Sequence, residues 1–235
     1  MERRKFNQLG VSALAALIGL AHRQAQALSL SDLTNAEASS GLKTALEKGA
    51  LSAIGLLGKT DGFLGNPLVK IPLPGFLEQA AGLLRALGQG GRIDELVTSM
   101  NRAAESAVPQ AKDMLVNAVK GMSVQEAKKI LGGGDTSVTQ FFAEKTRSLL
   151  EGRFLPVVSK AIEHVGLANQ YNDIAGKAAS MGLMKVEDSN IQKYVTGKSL
   201  DGLYTMIGEE EKKIRQDPIG TGSKVLQKVF GAIKL

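Results

Sequence analysis

The residues that could do chemistry in this 235-residue chain are carboxylates, a set of lysines and arginines, and little else. There is no cysteine, which excludes disulfides, thiolate nucleophiles and Cys-ligated zinc or iron–sulfur clusters. Of the two histidines, His22 sits in a leader described below, so His164 alone belongs to the body of the protein. One ring cannot build a multi-histidine metal site. It could serve a Ser-His-Asp triad, but no strand–turn–helix serine motif accompanies it. His164 stands at the end of a helical stripe, where a basic side chain suits the helix dipole. Gly58-Lys59-Thr60 ends like a phosphate-binding loop. Position 53 is Ala where the first glycine of that loop belongs, and no strand precedes it. Gly220-Thr221-Gly222-Ser223-Lys224 fails in the same way. Both read as helix punctuation, and the sequence gives no reason to expect a metal or a cofactor.

Three other groupings carry candidate sites. Asn101, Arg102 and Glu105 lie within one helical turn or so of each other, just before Pro109. Polar groups beside a helix break form either an internal network or a ligand site. Glu209-Glu210-Glu211 followed by Lys212, Lys213 and Arg215 offers Glu-before-Lys pairs three and four residues apart, each giving about 0.2–0.5 kcal/mol on an exposed face. Glu210 and Arg215 would matter chemically only if the fold brought other acids to them. The third grouping is the Lys59–Pro74 stretch, which has no helical period. It is longer than most connections in compact domains, and such loops are often functional. Asp61, Phe63 and Asn66 are its candidates. Gly62, Gly65 and Asn66 permit unusual backbone angles. Phe63, Leu64, Leu68, Val69 and Ile71 either strap the segment across the core or line a groove.

The elements that would position these groups are helices. Leu42, Ala45, Leu46, Gly49, Ala50, Ala53, Ile54 and Leu57 recur at helical spacing. So do Leu77, Leu84 and Leu87 after Pro74, and Ile93, Leu96, Val97, Met100, Ala104 and Ala107 up to Pro109. Pro109 should kink or break that helix. Ser123-x-x-Glu126 and Ser137-x-x-Gln140 both read as capping boxes. Gly152 and Pro156 suggest a break between the Val138–Phe142 helix and the Phe154–Val165 stripe. Leu167–Ala175, Ile191–Val195, Leu200–Ile207 and Val225–Ile233 follow. The expectation is an all-α, compact bundle of roughly eight to ten helices. At most one short extended segment is expected, near residues 68–73, where two prolines favour an edge strand or loop.

Composition agrees with a globular helical protein: 43% hydrophobic, 22% charged, 4% aromatic and no Trp. Residues 1–27 read as a signal peptide. Arg3-Arg4-Lys5 is a positive start, Val11–Ala21 is an apolar run too short to span a bilayer, and Ala25-Gln26-Ala27 is a small-x-small cleavage site. Arg3, Arg4 and Phe6 resemble the twin-arginine export motif, although Glu2 and Asn7-Gln8 depart from its usual surroundings. Half of the formal charge of +6 lies in this leader, and the mild remainder gives no electrostatic case for nucleic acid.

Six separated blocks occur in order through residues 28–235. They are LSLSDLTNAEASSGLKTALEKGA, GKTDGFLGNPLVKIPLP, VTSMNRAAESAVPQAK, LGGGDTSVTQFF, VGLANQYNDIAG and GLYTMIGEEEKKIRQDPIGTGSKVLQKVFG. Together they resemble domain of unknown function family 4197, a family of exported bacterial proteins. The resemblance implies a helical, secreted, single-domain protein. It implies no reaction and carries no functional residues over.

These readings rank three functions. First is a non-catalytic, extracytoplasmic (periplasmic) helical protein that binds or interacts with an unknown partner. Second is a carrier of an apolar or amphipathic ligand. Third is an enzyme using carboxylates such as Glu105, Glu210 or Asp217. Residues 224–234 form a short basic amphipathic stretch that either docks on the body or contacts a membrane surface. The leader supplies a direct test. Changing Arg3-Arg4 to Lys-Lys should hold the uncleaved precursor inside the cell, as read by fractionation and immunoblot. Unimpaired export would discard the twin-arginine route.

Overall fold

A computed structural model describes residues 35–134, 136–182, 185 and 189–217. Its elements are α1 (Asn35–Leu57), α2 (Gly75–Ala86), α3 (Gly90–Ala107), a 3₁₀ turn (Val108–Ala111), α4 (Lys112–Lys120), α5 (Val124–Leu131), α6 (Ser137–Ile162), α7 (Gly166–Ser180) and α8 (Ile191–Gln216). No strand occurs among the described residues. None of these helices is long and apolar enough to cross a membrane.

Small side chains decide what lies in the middle. On α3, Ala103, Ala104 and Ala107 are fully buried beside Ile93, Leu96 and Met100. Alanine at these positions lets neighbouring helices come close, and α3 packs against α2, α6, α7 and α8. The longest helices, α6 and α8, form the most extensive pairing, and α1 lies along α8 and against α4 and α5. One hydrophobic cluster runs through all of them. It is Leu, Ile, Val, Ala and Met with a few rings, among them Phe142, Phe154 and Tyr171.

Pro109 acts as expected but gently. The backbone stays helical through Val108–Ala111, tightening to 3₁₀ geometry for one turn before α4 begins. Pro156 behaves otherwise. α6 runs unbroken from Ser137 to Ile162 across both Gly152 and Pro156, so the expected break does not occur. Leu150, Phe154, Val158 and Ile162 are all fully buried along one stripe that passes the proline. Each such burial stabilises by about 1.5–3 kcal/mol, together more than the roughly 3 kcal/mol that an interior proline costs. The proline leaves a mark nonetheless. It has no amide to give the carbonyl of residue 152, so that α-helical hydrogen bond is missing.

The two capping boxes divide. At α5, Glu126 N donates to Ser123 Oγ (3.2 Å) and Ser123 N donates to Glu126 Oε2 (2.8 Å), which closes the box. At α6, Ser137 is inside the helix and Thr136 is the cap residue. The Ser137 hydroxyl instead donates to the carbonyls of Gly134 (2.9 Å) and Ile130 (3.2 Å), pinning the end of α5. The preceding glycine-rich turn puts those carbonyls within its reach, which a pattern of four residues does not reveal.

Glu126 also accepts from Lys145 of α6 at 2.7 Å. The Lys145 hydrogen bond, then the amide and hydroxyl of Ser123, hold its carboxyl down at about 2, against an ordinary 4.5. A folded-state pKa below the unfolded value means these bonds stabilise the fold at and above pH 4.5. That contribution is lost as pH falls towards 2. Glu126→Gln should therefore lower the urea midpoint at pH 7, and the difference from wild type should vanish near pH 2. A pH-independent difference would mean the carboxylate is not what matters.

Candidate functional site

Two places among the described residues are candidates for a site: the segment between α1 and α2, and a groove between α6 and α8. The first contains most of the residues expected from sequence. It is turns as far as Val69 and extended, unpaired chain from Lys70 to Pro74, so the segment near 68–73 is a loop rather than an edge strand. Such a chain crossing a helical body has no neighbouring strand to satisfy its main chain. Side chains of α3 do so instead. Asn101, fully buried, accepts from Ile71 N (2.8 Å) and donates to Ile71 O (3.0 Å) and Val97 O (2.8 Å). One turn on, buried Glu105 accepts from Phe63 N (3.0 Å) and Leu64 N (3.1 Å) on Oε1. Its Oε2 accepts from Arg102 (2.7 Å), and the other arm of that guanidinium donates to Asp61 (2.8 Å). Asp61 has φ +64°, a left-handed conformation that non-glycine residues rarely adopt.

The apolar half of the segment is equally committed. Phe63 is fully buried, and Val69, Ile71 and Leu73 are buried with it. Gly202 of α8 makes the room: a Cβ there would stand 2.7 Å from the Phe63 ring. Asn66 folds onto its own turn, accepting from Leu68 N (3.1 Å) and donating to Met206 Sδ (3.7 Å). Leu68, 66% exposed, is the apolar side chain that stays outside. The segment is a strap. Asp61, Phe63, Arg102 and Glu105 come together, and Asn101 and Asn66 fix other points of the same strap, as structure rather than as an open site.

Glu210 lies elsewhere, bonded to Ser52 of α1 (2.7 Å) and Lys213 (2.6 Å). Partial burial pushes its carboxyl up, but the Lys213 and Ser52 bonds outweigh this and hold it below the usual range. Arg215 is in α8, with its side chain outside the described residues. His164 is 90% exposed beside Glu163. The leader residues Arg3, Arg4, Phe6, Ala25 and Ala27, and the basic stretch 224–234, also lie outside the described residues.

The groove was not foreseen. It encloses about 760 Å³ and is open to solvent. From α6 come Arg147, Ser148, Glu151, Gly152 and Leu155. From α8 come Lys193, Tyr194, Thr196, Gly197, Lys198 and Asp201. Arg147 holds both acids, Asp201 at 2.7 Å and Glu151 at 3.4 Å. Its guanidinium also lies 6.0 Å from the centre of the Tyr204 ring. Lys198 sits 3.9 Å from Asp201 and 5.8 Å from the centre of the Tyr194 ring. Lys193 has no carboxylate within ion-pair distance among the described residues. Thr196 is 4% exposed, and its hydroxyl has no hydrogen-bond partner among the described residues. The Tyr194 hydroxyl donates to Pro72 O (3.2 Å), joining the groove wall to the end of the strap. The signal that sequence offered was the pair Gly152 and Gly197, glycines inside helices where alanine would be better by about 1 kcal/mol.

The strap's role is testable. Asn101→Leu leaves the amide and carbonyl of Ile71 buried without partners, and should lower unfolding free energy by at least about 2 kcal/mol. Phe63→Ala should cost about 3–5 kcal/mol. Phe63 and Leu64 both changed to Ser should leave a chain that does not fold. Urea denaturation followed by circular dichroism reads all three. Wild-type stability in these variants would show that the segment is not a structural strap.

No curated protein and no solved structure matches the chain. A family model does, over residues 32–231, a range that takes in the strap, both walls of the groove and all six sequence blocks apart from the first four residues of the first. The chain therefore belongs to the family described as protein of unknown function DUF4197.

Proposed function

We propose that this chain is an exported, non-catalytic helical binding protein that acts outside the cytoplasm and receives its partner in the groove between α6 and α8. The observation that carries the reading is the pair of groove glycines. Gly152 and Gly197 each lie inside a long helix, and a Cβ added to either would meet nothing within 4 Å. No internal packing calls for glycine there, so the helix weakening of about 1 kcal/mol each has no structural return. Gly55, Gly82 and Gly176 are open in the same way. At the groove, however, two such glycines coincide with a recess and with the unpartnered hydroxyl of Thr196.

The competing readings draw less support. Two carboxylates suggested for acid–base work are engaged elsewhere: Glu105 holds the strap and Glu210 holds Ser52 and Lys213. A carrier of apolar ligand calls for a mostly apolar pocket. The groove's surface meets this in area, but five of its eleven lining residues are charged. Between α1 and α8, the recess lined by Leu42, Leu46 and Ile207 holds about 10 Å³, far below the few hundred cubic ångströms of a ligand pocket. The extracytoplasmic location rests on the leader motifs.

Gly197→Leu tests the groove without attacking the fold. It should raise stability or leave it unchanged, since leucine is the better helix former by roughly 0.5–1 kcal/mol. A photo-crosslinking residue at Ser148 should give a discrete adduct in cells, and Gly197→Leu should abolish it. An adduct that survives Gly197→Leu, or no adduct at all, would count against a partner in the groove. Recovery of the full-length chain from the cytoplasm alone would count against export.

A further inference from the structure

We infer that the occupant of this groove is an extended, acidic peptide segment of a partner protein, an inference that rests on the groove being a binding site. Three features select this class. Gly152 and Gly197 leave bare main chain in the walls, which is what close approach by another main chain needs. The carbonyl of Gly152, a groove-lining residue, lacks its α-helical donor because residue 156 is proline. The exposed hydroxyl of Ser148 holds no hydrogen bond among the described residues and can donate to a peptide carbonyl or accept from an amide; that of Thr196, also without a partner there, is buried in the groove wall. These are the groups that pair with an extended backbone. An acyl chain would leave all of them unsatisfied.

Charge narrows the class. Arg147 is occupied by Asp201 and Glu151, and Lys198 lies between Asp201 and the Tyr194 ring. Lys193 is exposed at the rim without a carboxylate partner among the described residues. The uncompensated charge is therefore positive, which favours an aspartate or glutamate side chain there. A recess of about 760 Å³ lies within the range of sites that hold small ligands, and so suits a few residues of peptide.

Selection from a displayed random dodecamer library on the purified chain tests this, with fluorescence anisotropy of the enriched peptides against wild type, Gly197→Leu and Lys193→Glu. The expected result is enrichment of Asp- or Glu-containing peptides. Their affinity should be abolished by Gly197→Leu and reduced about tenfold by Lys193→Glu. Circular dichroism should show both variants folded. Groove-dependent peptides with no acidic preference, or none affected by Lys193→Glu, would overturn the acidic assignment and leave the groove standing. Peptides that bind Gly197→Leu as well as wild type would overturn the groove itself. Failure to enrich any peptide would overturn the peptide class, and the Ser148 adduct then judges the groove separately.

Discussion

A stretch of chain that crosses a helical body without forming helix or strand must have its buried amides and carbonyls satisfied by something. Here that something is one face of α3. Asn101 meets both main-chain groups of Ile71, and Glu105 meets the amides of Phe63 and Leu64. Everything else near the strap follows from these bonds. Arg102 is where it is because a buried carboxylate needs a countercharge. Asp61 takes its left-handed turn with its carboxylate on the far arm of that guanidinium. Gly202 must lack a side chain because the anchored strap drives Phe63 into α8. Alanine-rich α3 can be central only because its polar residues answer needs that no neighbouring helix has.

The arrangement also separates structure from function in a useful way. The polar side chains that look most reactive, Glu105 and Arg102, are fully engaged by the fold. The groove between α6 and α8 is made of less conspicuous residues, and its charged members already balance one another except at Lys193. Reactivity in the sequence and availability in the structure are therefore nearly opposite. A carboxylate with two amides and a guanidinium on it has little capacity left for a substrate. An open glycine costs helix stability and gives the fold nothing back.

Much of the architecture was legible in the sequence. The 3.6-residue stripes marked α1, α3 and the buried face of α6, because burial on one side imposes that period on any helix. Ser123 and Glu126 announced the start of α5 by chemistry alone. The strap showed itself as a break in period, and its candidates Asp61 and Phe63 proved to meet Arg102 and Glu105, while Asn66 holds its own turn and Met206. What sequence did not reveal depended on competition between distant parts. Pro156 reads as a helix breaker until the four buried side chains flanking it are weighed against its cost. Ser137 reads as a cap until the carbonyls of Ile130 and Gly134 arrive beside it. The groove was invisible for a related reason: it is an emptiness between two helices whose facing residues, such as Arg147 and Asp201, lie 54 positions apart, and only Gly152 and Gly197 hint at it.

One bond links the two polar regions. The Tyr194 hydroxyl, on the groove side of α8, reaches the carbonyl of Pro72 near the end of the strap. Any visitor that steadies the Tyr194 ring steadies that carbonyl, and whatever loosens the strap loosens the ring. By thermodynamic linkage the effect runs equally in both directions. If the groove holds a partner as proposed, lesions in the loop would weaken that binding without touching the partner, and the partner would in turn stiffen the end of the strap.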